Sequence, residues 1–407
     1  MKHIKILLLL FLPMMVMYGC EKLLPGELEP EDTLAEPLDG LTGAQLALHL
    51  EGDIQFAKIF SVEEGLGPIF VQAACQSCHP SDGKGNPFNA LTRFGRYDSL
   101  GNWDAMIAFG GPQLQHRAIA GYQPEVIPPG AASSKFIAPN ASGLGFLEAV
   151  DDASILALAD PNDSDGDGIS GVPQWVNPPS YFYPKPSHIS NSGKYIGRFG
   201  RKAGALDLLM QTVGAYKEDI GITSDYDTED PVNFLVSSGN GDNAPDPEIS
   251  SATVNAVAFY LRTLKAPPRR NESNADVAAG ENLFIQIGCE ACHKQTLITG
   301  ASEIAPLNNA TFHPYTDLLL HDMGPGLDDN YTENSALTYE WRTTPLWGLG
   351  LQESSQGSEM FLLHDGRAKT FEQAIEFHGG EAATSRDNFR NLPASEKEQV
   401  IKFLKSL

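Results

Sequence analysis

Two stretches decide how the chain is read: Phe70-Val71-Gln72-Ala73-Ala74-Cys75-Gln76-Ser77-Cys78-His79 and Phe284-Ile285-Gln286-Ile287-Gly288-Cys289-Glu290-Ala291-Cys292-His293. Phe, a β-branched residue, Gln, both cysteines and the histidine stand in register, so one unit is used twice. Cysteines at i and i+3 with His at i+4 put two thiols and an imidazole on one turn of chain. A c-type haem needs that set, one thiol for each vinyl group and a nitrogen for the iron. Zinc ribbons pair such motifs at roughly 15 to 20 residues, and Cys78 and Cys289 are far more widely separated. A thioredoxin-type pair belongs near a βαβ pattern and does not need the following His. The expectation is two covalently bound haems c. Cys75 and Cys78 would carry the first with His79 on its iron, and Cys289 and Cys292 the second with His293 on its iron.

The duplication extends to the far end of each unit. Val257-Ala258-Phe259-Tyr260-Leu261-Arg262-Thr263-Leu264 parallels Val400-Ile401-Lys402-Phe403-Leu404-Lys405-Ser406-Leu407, and both have the three-or-four spacing of apolar residues that marks an amphipathic helix. Each half is therefore expected to open with an aromatic-bearing helix running into its Cys pair and to close with a helix, the plan of a cytochrome c domain. Paired prolines at Pro267-Pro268 within a polar run place a linker between the halves. The expected organisation is an N-terminal extension over 20–55, a first haem domain over 56–265, a linker over 266–275 and a second haem domain over 276–407. Gly and Pro clusters such as Pro128-Pro129-Gly130 and Pro178-Pro179 read as long loop insertions in the first domain. Strand signals are sparse, so the fold class is read as mainly α with little β.

At the start of the chain Lys2 and Lys5 precede an apolar run from Ile6 to Met17 that is too short to span a bilayer, so residues 1–19 read as a secretion signal. The run ends in Met17-Tyr18-Gly19-Cys20, similar to a bacterial lipoprotein box, and Cys20 is expected to be acylated, anchoring an exported, periplasm-facing protein to a bacterial membrane. The chain has five cysteines, and Cys20 plus the two pairs accounts for all of them. Its net charge is −24, which argues against nucleic acid as a partner and fits either plain solubility or steering toward a basic redox protein.

The sixth position of each iron separates electron carriage from chemistry, since a second protein ligand favours electron transfer and an open position admits small molecules. In the second half the candidates are His313, His321, Met323, Met360, His364 and His378; in the first they are Met106, His116, His188 and Met210. A separate motif, Asp163-Ser164-Asp165-Gly166-Asp167-Gly168-Ile169, matches the first half of a calcium loop, with Asp163, Asp165 and Asp167 as carboxylate ligands and Ile169 offering its carbonyl; the twelfth position holds Gln174 and not Glu. The alternative is an acidic Asp-Gly turn without an ion.

Longer stretches resemble a known family. Asp317 to Leu327, Trp341-Arg342-Thr343-Thr344-Pro345-Leu346-Trp347-Gly348, Leu363 to Thr370 and Ala374 to Ala382, with Asp163 to Gly171 and Gly197-Arg198-Phe199-Gly200-Arg201-Lys202-Ala203, are similar to the di-haem oxidoreductases described as peroxidases and sometimes labelled thiol oxidoreductases. The resemblance implies kinship with bacterial di-haem cytochrome c peroxidases. It implies that the short helix after His364-Asp365-Gly366 carries the distal ligand of the second haem, which falls on His378, giving His293/His378 ligation. It implies a tryptophan between the haems, matched by Trp103-Asp104, and an acid–base glutamate, for which Glu125 is the candidate.

The function expected is an exported di-haem oxidoreductase whose C-terminal haem stores electrons while the N-terminal haem meets peroxide or another substrate. The donor would be a small redox protein or a quinol-linked system. The alternatives are a di-haem electron-transfer cytochrome without turnover and a thiol- or metal-using protein without haem.

Overall fold

The computed structural model describes residues 34–235, 241–242, 244–357 and 359–407. The secretion signal, Cys20 and the first part of the extension lie outside the described residues. No helix among the described residues is long and apolar enough to cross a membrane.

Two crossed helix pairs organise the chain. In the first, α1 (Gly43–Ala57) packs on α2 (Ser251–Thr263); in the second, α3 (Ala275–Gln286) packs on α4 (Ala394–Ser406). Side chains cap three of their N-termini. The Thr42 hydroxyl accepts from the Gln45 N–H while the Gln45 carboxamide oxygen accepts from the Thr42 N–H, Ser250 accepts from the Thr253 N–H, and Asn274 accepts from the Asp276 N–H.

Both pairs cross at a glycine. A β-carbon on Gly52 would lie 2.2 Å from the Ala256 carbonyl oxygen, and one on Gly280 would lie 2.0 Å from that of Gln399. One turn after each glycine comes an aromatic residue, Phe56 or Phe284, which the close approach sets against the closing helix. Phe56 lies 5.5 Å from Tyr260 and 5.9 Å from the His79 ring; Phe284 lies 5.2 Å from Phe403 and 6.2 Å from the His293 ring. The repeat therefore reaches from the crossing glycine to the motif histidine.

The match of Phe70 to Phe284 holds in sequence but not in structure. Phe70 belongs to a two-residue strand paired with Arg117–Ala118, and Phe56 takes the place that Phe284 has in the second half. Gly65 and Gly67, both at positive φ, and Pro68 separate α1 from the cysteines, so no helix runs directly into Cys75. The expected boundary between residues 55 and 56 accordingly falls inside α1.

The expectation of a mainly α fold with little β is corrected. Helix makes up 33% and strand 13%, the strands being distributed over several small sheets. The largest joins Trp103–Asp104, Leu91–Tyr97 and Ala132–Phe136 as three antiparallel strands; four others are two-stranded, among them Leu320–Asp322 with Glu340–Arg342. Most strands are two or three residues long. They are made by loops that happen to run alongside one another, and runs so short show no alternation in the sequence.

Leu34 to Leu407 form one compact unit. Within it one apolar cluster surrounds the first motif and another the second. The first also takes in Phe312, Leu318, Leu319 and Trp347 from the second half of the sequence, so the two halves share a core beyond the linker.

The glycine crossings make a specific prediction. Gly52→Ala or Gly280→Ala forces each helix pair apart and should cost about 1–3 kcal/mol by overpacking, whereas Gly43→Ala, with no atom within 4 Å, should be neutral or stabilising. Denaturant titration of the three variants checks this, and equal effects at Gly43 and Gly52 would refute the close-packing account.

Candidate functional site

Each cysteine–histidine motif opens onto a cavity. The larger, about 220 Å³, is lined by Cys289, Cys292, His293 and His378 with walls from Phe284, Leu327, Leu349, Phe371 and Leu404 among others. The smaller, about 140 Å³, is lined by Cys75, Cys78, His79, Phe56, Tyr216 and Trp347 among others. In both motifs the cysteines sit on a single 3₁₀ turn, Cys75–Ser77 and Cys289–Ala291, and the histidine N–H donates to the carbonyl of the first cysteine at 3.0 Å. This turn holds the thiols and imidazole on one edge of the cavity.

Electrostatics keep the histidines neutral. Burial pushes both His79 and His293 down to about 4, with backbone groups of Pro139 and Gly83 opposing at His79 and that of Tyr315 at His293. Nδ1 of His293 lies 2.9 Å from the Tyr315 carbonyl oxygen, to which it donates when protonated there, leaving Nε2 for a metal. His378 has the same arrangement. It follows the short helix Phe371–Glu376, capped by Thr370, and its Nδ1 lies 2.8 Å from the Ala374 carbonyl oxygen. Burial lowers its proton affinity too, and its charge bears on His293. The second cavity thus has a neutral imidazole from the motif and another from the following helix.

No such partner exists in the first cavity. Met106, His116, His188 and Met210 are all absent from its lining. Met106 is buried at a left-handed turn, His116 is exposed, His188 stacks on Phe182 at 5.4 Å, and Met210 packs in the adjoining apolar cluster. In the second half Met323, His321 and His364 also line the larger cavity, whereas His313 and Met360 do not.

Whether these cavities suit haem is tested by the charges around them. Lys84 and Arg201 line the larger cavity and Arg342 lines both, all three buried. None has a carboxylate within salt-bridge distance among the described residues. Burial lowers the proton affinity of Lys84 well below its ordinary range and moves Arg201 to about 9 and Arg342 to about 10. Buried cations without counter-ions are costly, so an anionic group belongs beside them. Haem carries two carboxylates on an otherwise apolar plate. Thiols, neutral imidazole, apolar walls and buried cations without carboxylate partners are together the surroundings that fit a haem.

The chain belongs to the di-haem oxidoreductase family: the model described as "Di-haem oxidoreductase, putative peroxidase" matches residues 30–94 and 134–407. Among solved structures, Kuenenia stuttgartiensis hydrazine synthase is 15% identical, with 92% of this chain and 94% of that chain covered and a TM-score of 0.39. A MauG-like protein associated with microbial copper homeostasis is 13% identical, with 94% of each chain covered and a TM-score of 0.39. No curated protein matches the chain.

The remaining sequence candidates fall in different places. Trp103 lines neither cavity; it meets Tyr331 edge-on at 5.5 Å and Tyr97 at 5.1 Å. The segment that does line both cavities is Arg342–Pro345, with Trp341 on the larger and Trp347 on the smaller. The sequence reading quoted this motif but gave its residues no role. Trp341 is held between His364, stacked at 3.7 Å, and the Lys202 ammonium, 3.9 Å from the ring centroid.

Glu125 is buried, its Oε2 accepting from the Gln115 N–H at 2.8 Å and its Oε1 without a partner; burial pushes it up to about 8. It stands outside the lining of the smaller cavity. Gln115 and Gln113 extend from it to the Glu218 carbonyl, and Gln113 also donates to Asp219 at 2.5 Å. Asp219 does line that cavity, from the π-helix Ala215–Ile220. Asp163, Asp165 and Asp167 are exposed, with carboxylate oxygens within 4.8 Å of one another. Ile169 lines the larger cavity, and Gln174 is wholly buried, donating to the Glu333 carbonyl.

Sequence reasoning listed His321 only as an iron-ligand candidate. Its Nε2 lies 2.8 Å from Asp317 and its Nδ1 2.7 Å from Glu381, beside Cys292 Sγ at 3.6 Å. Burial opposes its charge, but Asp317, Cys292 and Glu381 together raise it to about 12, so it is an imidazolium with both nitrogens donating. A proton affinity raised on folding contributes stability that is complete below the unfolded value near 6.5 and is lost as pH rises toward 12. His321→Phe leaves the buried Asp317 and the part-buried Glu381 without their cation and should cost about 3–5 kcal/mol at pH 7. Urea melts of both proteins at pH 7 measure the loss, and a difference below about 1 kcal/mol would refute the ion-triad account.

Proposed function

We propose that the protein is an exported c-type oxidoreductase in which the two haems do different work. The observation that carries this reading is the asymmetry of the cavities, with His378 lining one together with His293 and none of the candidate ligands lining the other. Cys289, Cys292, His293 and His378 would hold one haem, and Cys75, Cys78 and His79 would hold the other. Haem supplies one-electron chemistry at its iron, stored where the protein fills both axial positions and exchanged with peroxide or another small substrate where it does not.

The chain's own part is positioning, proton handling and charge. In the larger cavity backbone carbonyls engage Nδ1 of both His293 and His378, leaving Nε2 of each for a metal. Lys84, Arg201 and Arg342 would neutralise haem carboxylates. Glu125, pushed up to about 8 by burial, would hold a proton outside the lining of the smaller cavity, and Asp219 would present a carboxyl to a substrate within it. Trp341 and Trp347, at the ends of the segment shared by both cavities, are better placed than Trp103 to link them. Electrons would come from a small redox protein or a quinol-linked donor, and a lipid on Cys20 would keep the protein at a membrane facing the periplasm.

Pyridine haemochrome should count two covalent haems per chain. His378→Ala should convert one haem from low spin to high spin in electron paramagnetic resonance, and half-reduced wild type should bind cyanide at one haem and turn over peroxide with an artificial donor. His79→Gly should abolish the last two. Failure of any reduced form to bind an exogenous ligand would make the protein an electron-transfer cytochrome instead.

The reading includes one calcium ion held by Asp163, Asp165, Asp167 and the Ile169 carbonyl, next to the larger cavity. Asp163→Asn/Asp165→Asn should reduce the calcium-dependent rise in melting temperature, since an ion that binds only the folded state stabilises it by mass action. An unchanged calcium response would make this an ordinary acidic turn.

A further inference from the structure

Helix α1 is apolar on two sides. Its inner side, with His49, Gly52 and Phe56 buried, packs on α2. On its outer side Leu46, Leu50 and Ile54 follow one another at a spacing of four and are 39%, 51% and 62% exposed, with Ala47 exposed beside them. One turn earlier a β-carbon on Gly43 would meet no atom within 4 Å, so the start of this stripe is uncovered too. At about 100° per residue the acidic Glu51 and Asp53 fall just outside the stripe, one on each edge. A helix at the surface of a globular protein turns one apolar stripe to the core and polar residues to water; a second apolar stripe is a contact face.

Three observations favour a lipid bilayer over a protein as the occupant. The stripe is aliphatic throughout, with no aromatic, Met or Arg side chain and no hydrogen-bonding group, whereas protein interfaces are built around such anchors. It is also the width of one helix stripe, far short of the roughly 800 Å² per partner that a stable protein interface needs. Finally, Cys20 precedes Leu34 by 14 residues (34 − 20), which span at most about 50 Å. A lipid on Cys20 keeps α1 within that reach of the bilayer, where a second, weak apolar contact becomes an intramolecular event.

We propose that the face of α1 formed by Leu46, Ala47, Leu50 and Ile54 lies on the lipid bilayer. This rests on the reading that Cys20 is acylated. Residues 43–57 contain no Lys or Arg and the chain carries a net charge of −24, so the contact is made by burying aliphatic side chains and not by attraction to anionic lipid. The other side of the same helix supplies Phe56 to the lining of the smaller cavity, which places that cavity directly behind the membrane-facing helix.

The test uses the full, haem-loaded chain. With Cys20→Ser, so that no lipid contributes, the protein should co-sediment weakly with phosphatidylcholine vesicles. Leu50→Glu/Ile54→Glu should lower that partition at least about tenfold, because two apolar side chains are returned to water, with haem absorbance and melting temperature unchanged. Replacing part of the phosphatidylcholine with phosphatidylglycerol should not strengthen binding. Should the double variant not fold, a nitroxide on Ile54→Cys in the Cys20-containing protein, the one free thiol once haem and lipid are attached, gives the second measurement. On vesicles it should become protected from an aqueous nickel complex and stay open to oxygen. Mass spectrometry of the N-terminal peptide reads acylation of Cys20 separately, so loss of the anchor is told apart from loss of the face. Partition unaffected by Leu50→Glu/Ile54→Glu, binding that grows with phosphatidylglycerol, or a nitroxide equally open to nickel with and without vesicles would each overturn the proposal. A dimer of the Cys20→Ser protein in vesicle-free buffer, dissociated by the same two substitutions, would overturn it in favour of a second copy of the chain.

Discussion

The close crossing of an opening and a closing helix, made twice, is the constraint on which the rest depends. Without a side chain at Gly52 and Gly280, helix backbones touch, and the aromatic one turn later is driven against both the closing helix and the motif histidine. A packed ring beside an imidazole limits its rotation and excludes water, and burial of this kind holds His79 and His293 neutral. Backbone packing is thereby converted into a metal-ready nitrogen. Because the crossing is local, it tolerates very different chain between its helices. The first unit accommodates a small sheet, a π-helix and long loops, while the second remains short.

Charge burial is the second organising fact. The protein is strongly acidic overall, yet the walls of the larger cavity contain buried cations without carboxylate partners, and the carboxylates nearby are engaged elsewhere. Asp317 and Glu381 are taken up by His321, and Asp365 by Arg367. Positive charge is therefore left facing the cavity by the internal pairing pattern and not by net composition. In a low-dielectric setting this selects a ligand that is apolar across its face and anionic at its edge.

Much of the site was legible because its chemistry is local. Two cysteines and a histidine within five residues declare themselves, and the helix over 371–376 carrying His378 could be located from the stretch after His364-Asp365-Gly366. The π-helix and the short strands were not legible, since neither has a sequence period long enough to read. Phe70 misled for an instructive reason: it occupies the matching sequence position, but the structural equivalent of Phe284 is Phe56, displaced by the loop containing Gly65, Gly67 and Pro68. The crossing glycines carried the better signal. Gly52 and Phe56 have the same spacing as Gly280 and Phe284, and aligning on that spacing places α1 inside the haem unit. The shared segment Arg342–Pro345 had a conspicuous sequence but a role that only three dimensions reveal, because its two neighbours are the product of both halves.

The asymmetry between the cavities follows from what each closing stretch must do. In the second unit the chain after the motif returns across the cavity as the helix Phe371–Glu376, capped by Thr370, and its C-terminal end delivers His378. In the first unit the lining comes instead from a π-helix, whose wider turn carries Tyr216 and Asp219 and no imidazole or thioether. A six-residue α-helical insert is compact enough to present one side chain rigidly, whereas a π-helix is characteristic of places where local geometry yields to function. Tyr216 and Asp219 thus line the smaller cavity, where the larger one has His378. The two cavities therefore give a bound group different surroundings, a second imidazole in one and a buried phenol and carboxyl in the other.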